Sequence, residues 1–138
     1  SIHVSSGLKA LKAVKKVSGQ TKIIGVTILT SLDNKSLKEI GFDKDVKKLV
    51  QLQAKLASKA NLDAIVCSPH EIKIVNKIFK KEIFTPGIRM TGDNKGDQKR
   101  VMSPKQAFQN GATGLVMGRS LVKGKIKQNI QKLIEQLK

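Results

Sequence analysis

Arginine is scarce in this chain, and its placement is the first chemical clue. Of 27 lysines and arginines in 138 residues, only Arg89, Arg100 and Arg119 are arginine. A guanidinium presents a planar fork of donors that matches phosphate oxygens, which the point charge of a lysine does not. All three lie in or beside two glycine-bearing segments. The first runs from Thr85-Pro86-Gly87-Ile88-Arg89 through Gly96-Asp97-Gln98-Lys99-Arg100; the second is Met117-Gly118-Arg119-Ser120. Glycine lets backbone N–H groups approach an anion closely, and a helix N-terminus beyond it adds a favourable dipole. Together these residues predict a phosphate site. The plainer alternative is that the arginines are surface charges and the glycines only turn the chain.

Other reactive groups are few. Two histidines and the single cysteine, Cys67, form no ligand cluster, so no metal is expected. Cys67 reads as a small core residue in a reducing, cytoplasmic compartment. His3 reads as a hydrogen-bonded barrel-interior residue rather than a base, and Asp93 and Asp97 as residues that shape their loop rather than acids.

The elements that must position these groups alternate in type. Short apolar runs at 2–4, 23–29, 64–67, 83–85 and 114–117 predict strands buried on both faces. Between them, apolar residues recur at helical spacing: Ala10, Ala13, Val14 and Val17; Val46, Leu49, Val50 and Leu56; Ile72, Val75, Ile78 and Phe79. Ile126, Ile130, Leu133, Ile134 and Leu137 make the last such stripe. A shorter helix is predicted over 104–110, with Ser103 as N-cap and Pro104 at its first position. Five β-α repeats imply a parallel α/β sheet with right-handed crossovers, either doubly wound or part of a barrel. Counted back from the C-terminus, the two glycine-bearing segments follow the last two strands, where complete barrels often build a phosphate site. The first of them is long for such a connection, as lids and binding loops are.

The formal charge of +17 invites a nucleic-acid partner. The basic residues, however, are spread over every segment. Aromatic residues are only 3% of the chain, with no Trp or Tyr, so platforms for stacking bases are nearly missing. Charge alone predicts only salt-sensitive, unspecific association. No apolar run reaches the roughly 18 residues of a membrane span. Neither a specific nucleic acid nor a membrane is an expected partner.

The two glycine-bearing segments, with Val116-Met117-Gly118-Arg119, resemble the C-terminal signatures of the orotidine 5′-monophosphate decarboxylases. Ile2-His3-Val4-Ser5-Ser6-Gly7, Val26-Thr27-Ile28-Leu29-Thr30-Ser31 and Leu62-Asp63-Ala64-Ile65-Val66-Cys67-Ser68 resemble that family's fourth, fifth and sixth strand ends, in order and at matching spacing. The resemblance implies one domain over 1–138. That domain would be the C-terminal part of a (β/α)8 TIM barrel, about five βα units long, with the barrel's N-terminal strands absent. It implies a carboxy-lyase converting orotidine 5′-monophosphate to uridine 5′-monophosphate and CO₂, without a cofactor and as a homodimer. In the implied substrate site, Thr30 lies at the pyrimidine end and Pro86 lines the wall near the base. Arg89 and Gln98 belong to the loop over the phosphate, and Gly118 and Arg119 hold the phosphate by backbone N–H and guanidinium.

The same resemblance exposes a gap. The family's chemistry rests on a Lys and Asp network from the first three strands, including an Asp-x-Lys-x-x-Asp motif. That motif does not occur here; Asp43-Lys44-Asp45 has the wrong spacing and leads into a helix. No catalytic residue is therefore expected within this chain, and the piece alone should be inactive. Its open sheet edges should also make it associate, aggregate or lose order when expressed alone. Rival readings are a sugar-phosphate decarboxylase or aldolase on the same barrel, or a basic nucleic-acid-binding module.

Overall fold

The five apolar runs form strands β1 (Ile2–His3), β2 (Ile24–Val26), β3 (Ala64–Val66), β4 (Glu82–Thr85) and β5 (Gly114–Leu115). In the computed structural model, which describes residues 1–93 and 100–138, every pairing is parallel and the strands lie side by side in chain order. That order decides between the two candidate architectures. Right-handed crossovers taken always in one direction put every connecting helix on the same face. A doubly wound sheet instead reverses direction at a switch point. The unreversed order is that of a barrel arc.

The helices are α1 (Gly7–Val17), α2 (Asn34–Glu39), α3 (Val46–Lys59), α4 (Ile72–Ile78), α5 (Pro104–Gln109), α6 (Arg119–Val122) and α7 (Ile126–Leu137). Capping sets several of their starts. Asp45 accepts from Lys48 N at 2.8 Å to open α3, and Ser103 receives Gln106 N at 3.4 Å to open α5. The short α2 has no clear apolar stripe. It forms because Asp33 accepts from the N–H of Ser36 at 2.9 Å.

One face of the sheet is closely covered at Gly25. A β-carbon there would stand 2.8 Å from Leu62 Cδ1 and 2.9 Å from Val4 Cγ2, so only glycine fits without a shift. Around it the core closes with Leu11, Val50, Ala57, Leu62, Ile65, Val75, Phe79 and Ile83, all buried.

Three sequence expectations need correction. Val17, placed on the apolar face of α1, is 82% exposed, because it ends the helix beyond the reach of the sheet. His3 is exposed at the end of β1, where the arc is open. The stripe on α7 is present but only partly covered: Leu133 is half-buried, while Ile126, Ile130, Ile134 and Leu137 stay exposed. Except in β4, the strand ladders are also shorter than the apolar runs. Beyond Val26, the Thr27 hydroxyl and N–H both turn to the carbonyl of Val66, at 2.7 and 3.1 Å, and the ladder stops.

At the N-terminal edge of the sheet, Asp63 accepts three hydrogen bonds from two donors. Its carboxylate accepts from Lys15 Nζ at 2.6 and 2.9 Å and from Ile23 N at 2.7 Å, tying α1 to the approaches of β2 and β3. The Lys15 hydrogen bond, followed by that of Ile23, holds this carboxyl below the usual aspartate range. A lowered folded value adds stability at pH values above the unfolded value of about 4, and that stability is lost as pH falls through the folded value. Asp63→Asn should therefore cost about 1–2 kcal/mol near neutrality. The difference from wild type should shrink in acid, as read from thermal midpoints between pH 7 and pH 3.

Candidate functional site

Because every strand runs the same way, all strand C-terminal ends open on one edge. The terminal carbonyls there lack ladder partners, and threonines supply them. Thr85 is fully buried and donates its hydroxyl to the carbonyl of Cys67 at 2.9 Å, while Val116 N donates to the carbonyl of Thr85 at 2.9 Å.

From this edge the loop after β4 departs and returns as a stapled pair. Arg89 N donates to Met102 O at 3.1 Å and Met102 N to Gly87 O at 3.2 Å, with Ile88 and Met102 bridged in parallel. Gly87 has φ of +76°, a conformation that L side chains rarely adopt, which explains glycine in Pro86-Gly87-Ile88. Within the outgoing limb, Asp93 accepts from Met90 N at 3.2 Å and its own N–H donates to Met90 O, so Asp93 shapes the loop as expected.

The staple presents Arg89 to a hollow of about 400 Å³, and Arg119 reaches the same hollow from the other glycine segment. Lys123, Ser120, Asn129 and Asp93 complete much of its wall. Three cations thus outnumber the one carboxylate facing them, which favours an anion. Asn129 braces this wall by donating through Nδ2 to the carbonyls of Leu121 and Lys123, both at 2.8 Å. The dipole expected behind Gly118 is slight, since α6 is a single four-residue turn. The guanidiniums and Lys123 must therefore carry most of the attraction.

The other predicted site residues sit elsewhere on this edge. Thr30 is buried in the turn four residues beyond β2, and Pro86 is half-buried directly after β4; neither lines the arginine hollow. Gly118 immediately precedes Arg119, and open space faces its α-carbon. Gln98 and Asp97 lie outside the described residues. Ser120, Lys123 and Asn129 were not singled out from the sequence, and Lys123 had no signal to separate it from the other lysines.

Sequence reasoning also missed Glu71. Arg100 turns away from the hollow and places Nη1 2.7 Å from Glu71 Oε2, both side chains largely buried. Its Nη2 donates to the carbonyl of Leu29 at 2.9 Å. One residue further on, His70 Nε2 lies 3.0 Å from the carbonyl of Val101. The loop after β4 is thereby tied to the ends of β2 and β3.

These features define a class: the C-terminal arc of a parallel α/β barrel with an arginine-lined hollow at its strand ends. The chain belongs to the orotidine 5′-phosphate decarboxylase / HUMPS family, whose model matches residues 1–132. The orotidine 5′-phosphate decarboxylase of Prochlorococcus marinus (strain MIT 9215) is 46% identical in a match covering 89% of this chain and 56% of that protein. The protein of the same name from Coxiella burnetii (strain RSA 493 / Nine Mile phase I) is 43% identical in a match covering 87% and 54%. The chain spans about half the length of the curated relatives it matches. Among solved structures, orotidine 5′-phosphate decarboxylase from Lactobacillus acidophilus superposes with a TM-score of 0.77 at 24% identity, covering 99% of this chain and 63% of that one. The Methanocaldococcus jannaschii enzyme complexed with inhibitor BMP gives 0.71 at 21%, covering 99% and 60%. At such identities the structures speak for the fold, and the sequence matches carry the family.

Cys67 takes no part in this site. It is buried at the end of β3, and desolvation pushes its thiol up to about 12. The thiolate is the reactive form, so the folded protein should resist thiol reagents at pH 8. Labelling should appear only with unfolding, which a denaturant series with an aromatic disulfide reagent will check.

Proposed function

We propose that this chain is the phosphate-gripping portion of an orotidine 5′-phosphate decarboxylase. The observation that carries the reading is the shared hollow of Arg89 and Arg119, set by the loops after the last two strands. In this reading the hollow takes the 5′-phosphate of orotidine 5′-monophosphate, with backbone N–H groups at Gly118 adding to the two guanidiniums. Gln98 reaches across the phosphate from the same loop as Arg89. Thr30 marks the pyrimidine end, and Pro86 lines the wall beside the base.

The reaction breaks the bond between C6 of the pyrimidine and its carboxylate. CO₂ leaves, the electron pair stays on C6, and a lysine then protonates that carbon. Fixed charges in a dry pocket stabilise the transition state. The lysine and its aspartate partners belong to an Asp-x-Lys-x-x-Asp motif absent from this sequence. They would come from the barrel's first three strands. The phosphate lies far from the reacting carbon, so its binding energy serves to position the base and hold the loops. The 138 residues alone should thus hold nucleotide weakly and release no CO₂.

The complete enzyme is expected to be a cytoplasmic homodimer that uses no cofactor. Among the described residues no helix is long and apolar enough to cross a membrane. The family match disfavours the nucleic-acid reading, and the names of the curated relatives disfavour the sugar-phosphate alternatives.

The test is nucleotide binding in the polypeptide that completes the barrel. Arg119→Ala should weaken uridine 5′-monophosphate by about 2 kcal/mol, on the order of 30-fold, by calorimetry. Unchanged affinity would remove the phosphate assignment. Polynucleotide binding that falls steeply with salt and ignores mononucleotides would favour the basic module instead.

A further inference from the structure

The Arg100–Glu71 pair has features that stability alone does not explain. Its side chains are 12% and 9% exposed, and the charged atoms stand 2.7 Å apart. Yet Nε and Nη1 of Arg100 and Oε2 of Glu71 are buried with no aligned hydrogen bond among the described residues. Desolvating two charges is costly, and a buried pair without full hydrogen bonding returns little net stability. Such pairs are better suited to fixing one arrangement against its alternatives.

The arrangement that this pair fixes is specific. Glu71 stands at the head of α4, after β3. Arg100 stands on the returning limb of the loop after β4, two residues before Met102 staples that limb to Gly87 and Arg89. The remaining fork nitrogen of Arg100 holds the carbonyl of Leu29, the residue before Thr30. One guanidinium therefore links three strand ends: the phosphate arginine on one side, the turn carrying Thr30 on another, and α4 as the fixed wall.

We infer that Arg100 and Glu71 are positioning residues, setting the spacing between the phosphate end and the pyrimidine end of the nucleotide site. The inference rests on the functional reading above. A lysine could supply the charge but not the fork that reaches Glu71 and Leu29 together. A glutamine at position 71 would keep the shape and lose the charge.

The experiment uses the enzyme with its complete barrel and compares Arg100→Lys, Arg100→Met and Glu71→Gln with Arg119→Ala. Misplacing contacts by about an ångström costs on the order of a hundredfold in rate. Arg100→Met and Glu71→Gln should each lower kcat/KM for orotidine 5′-monophosphate by roughly that factor, per folded active site. The double variant should be little worse than either single one, because the two residues act as a unit. Arg100→Lys should recover only part of the loss. Variants with lowered thermal midpoints but unchanged kcat/KM per folded site would overturn the inference and leave a structural role. Should Arg100→Met not fold, Glu71→Gln with Arg100→Lys decides in the same way. If Arg119→Ala binds uridine 5′-monophosphate as wild type does, the phosphate assignment fails. If only the Arg119 variant is impaired, that assignment stands and the positioning role falls.

Discussion

Everything functional in this chain depends on strand direction. Five parallel strands in unreversed order send every helix back along one face and open every βα loop on one edge. Residues as far apart in sequence as Thr30, Glu71, Arg89 and Arg119 therefore arrive on the same rim. No local propensity accomplishes this. It follows from hydrogen-bonded parallel pairing, with Gly25 letting one face of the sheet be closely covered.

The two edges of the sheet use charge differently. At the N-terminal edge, Asp63 is satisfied by Lys15 and by the N–H of Ile23, a compact arrangement with aligned hydrogen bonds. At the C-terminal edge, Arg89, Arg119 and Lys123 face one hollow, and the buried Arg100–Glu71 pair lacks hydrogen-bond alignment. The first pattern suits stability and the second suits recognition, the division expected between the bottom and top of an α/β barrel. Like charges gathered around a hollow favour an anion there.

The partly covered stripe on α7 belongs to the same logic. Ile126, Ile130, Ile134 and Leu137 repeat at helical spacing, so the helix is amphipathic by composition, but α5 and α6 cover its apolar side only in part. Among the described residues β1 and β5 each have a single strand neighbour. A barrel arc leaves two edges and part of its helical layer open, and closure of the ring is the arrangement that removes both. The chain's share of its relatives' length, 56% of the Prochlorococcus marinus protein, matches an arc of that extent.

Much of this was legible in the residues themselves. Apolar runs separated by helical stripes determined the five repeats, Ser103-Pro104 determined the start of α5, and the isolation of three arginines in a lysine-rich chain pointed to the anion site. The ordered signatures around Arg89, Gly118 and Arg119 named the family. These are local properties, carried by short stretches whose period and chemistry can be read in order. What the tertiary structure decided is non-local. Only the strand order chose a barrel arc over a doubly wound sheet. Only packing showed Val17 and His3 exposed, turned Arg100 toward Glu71, and brought Lys123 and Asn129 to the hollow. A side chain's partner depends on which distant segment the sheet lays beside it, and a linear pattern does not encode that distance.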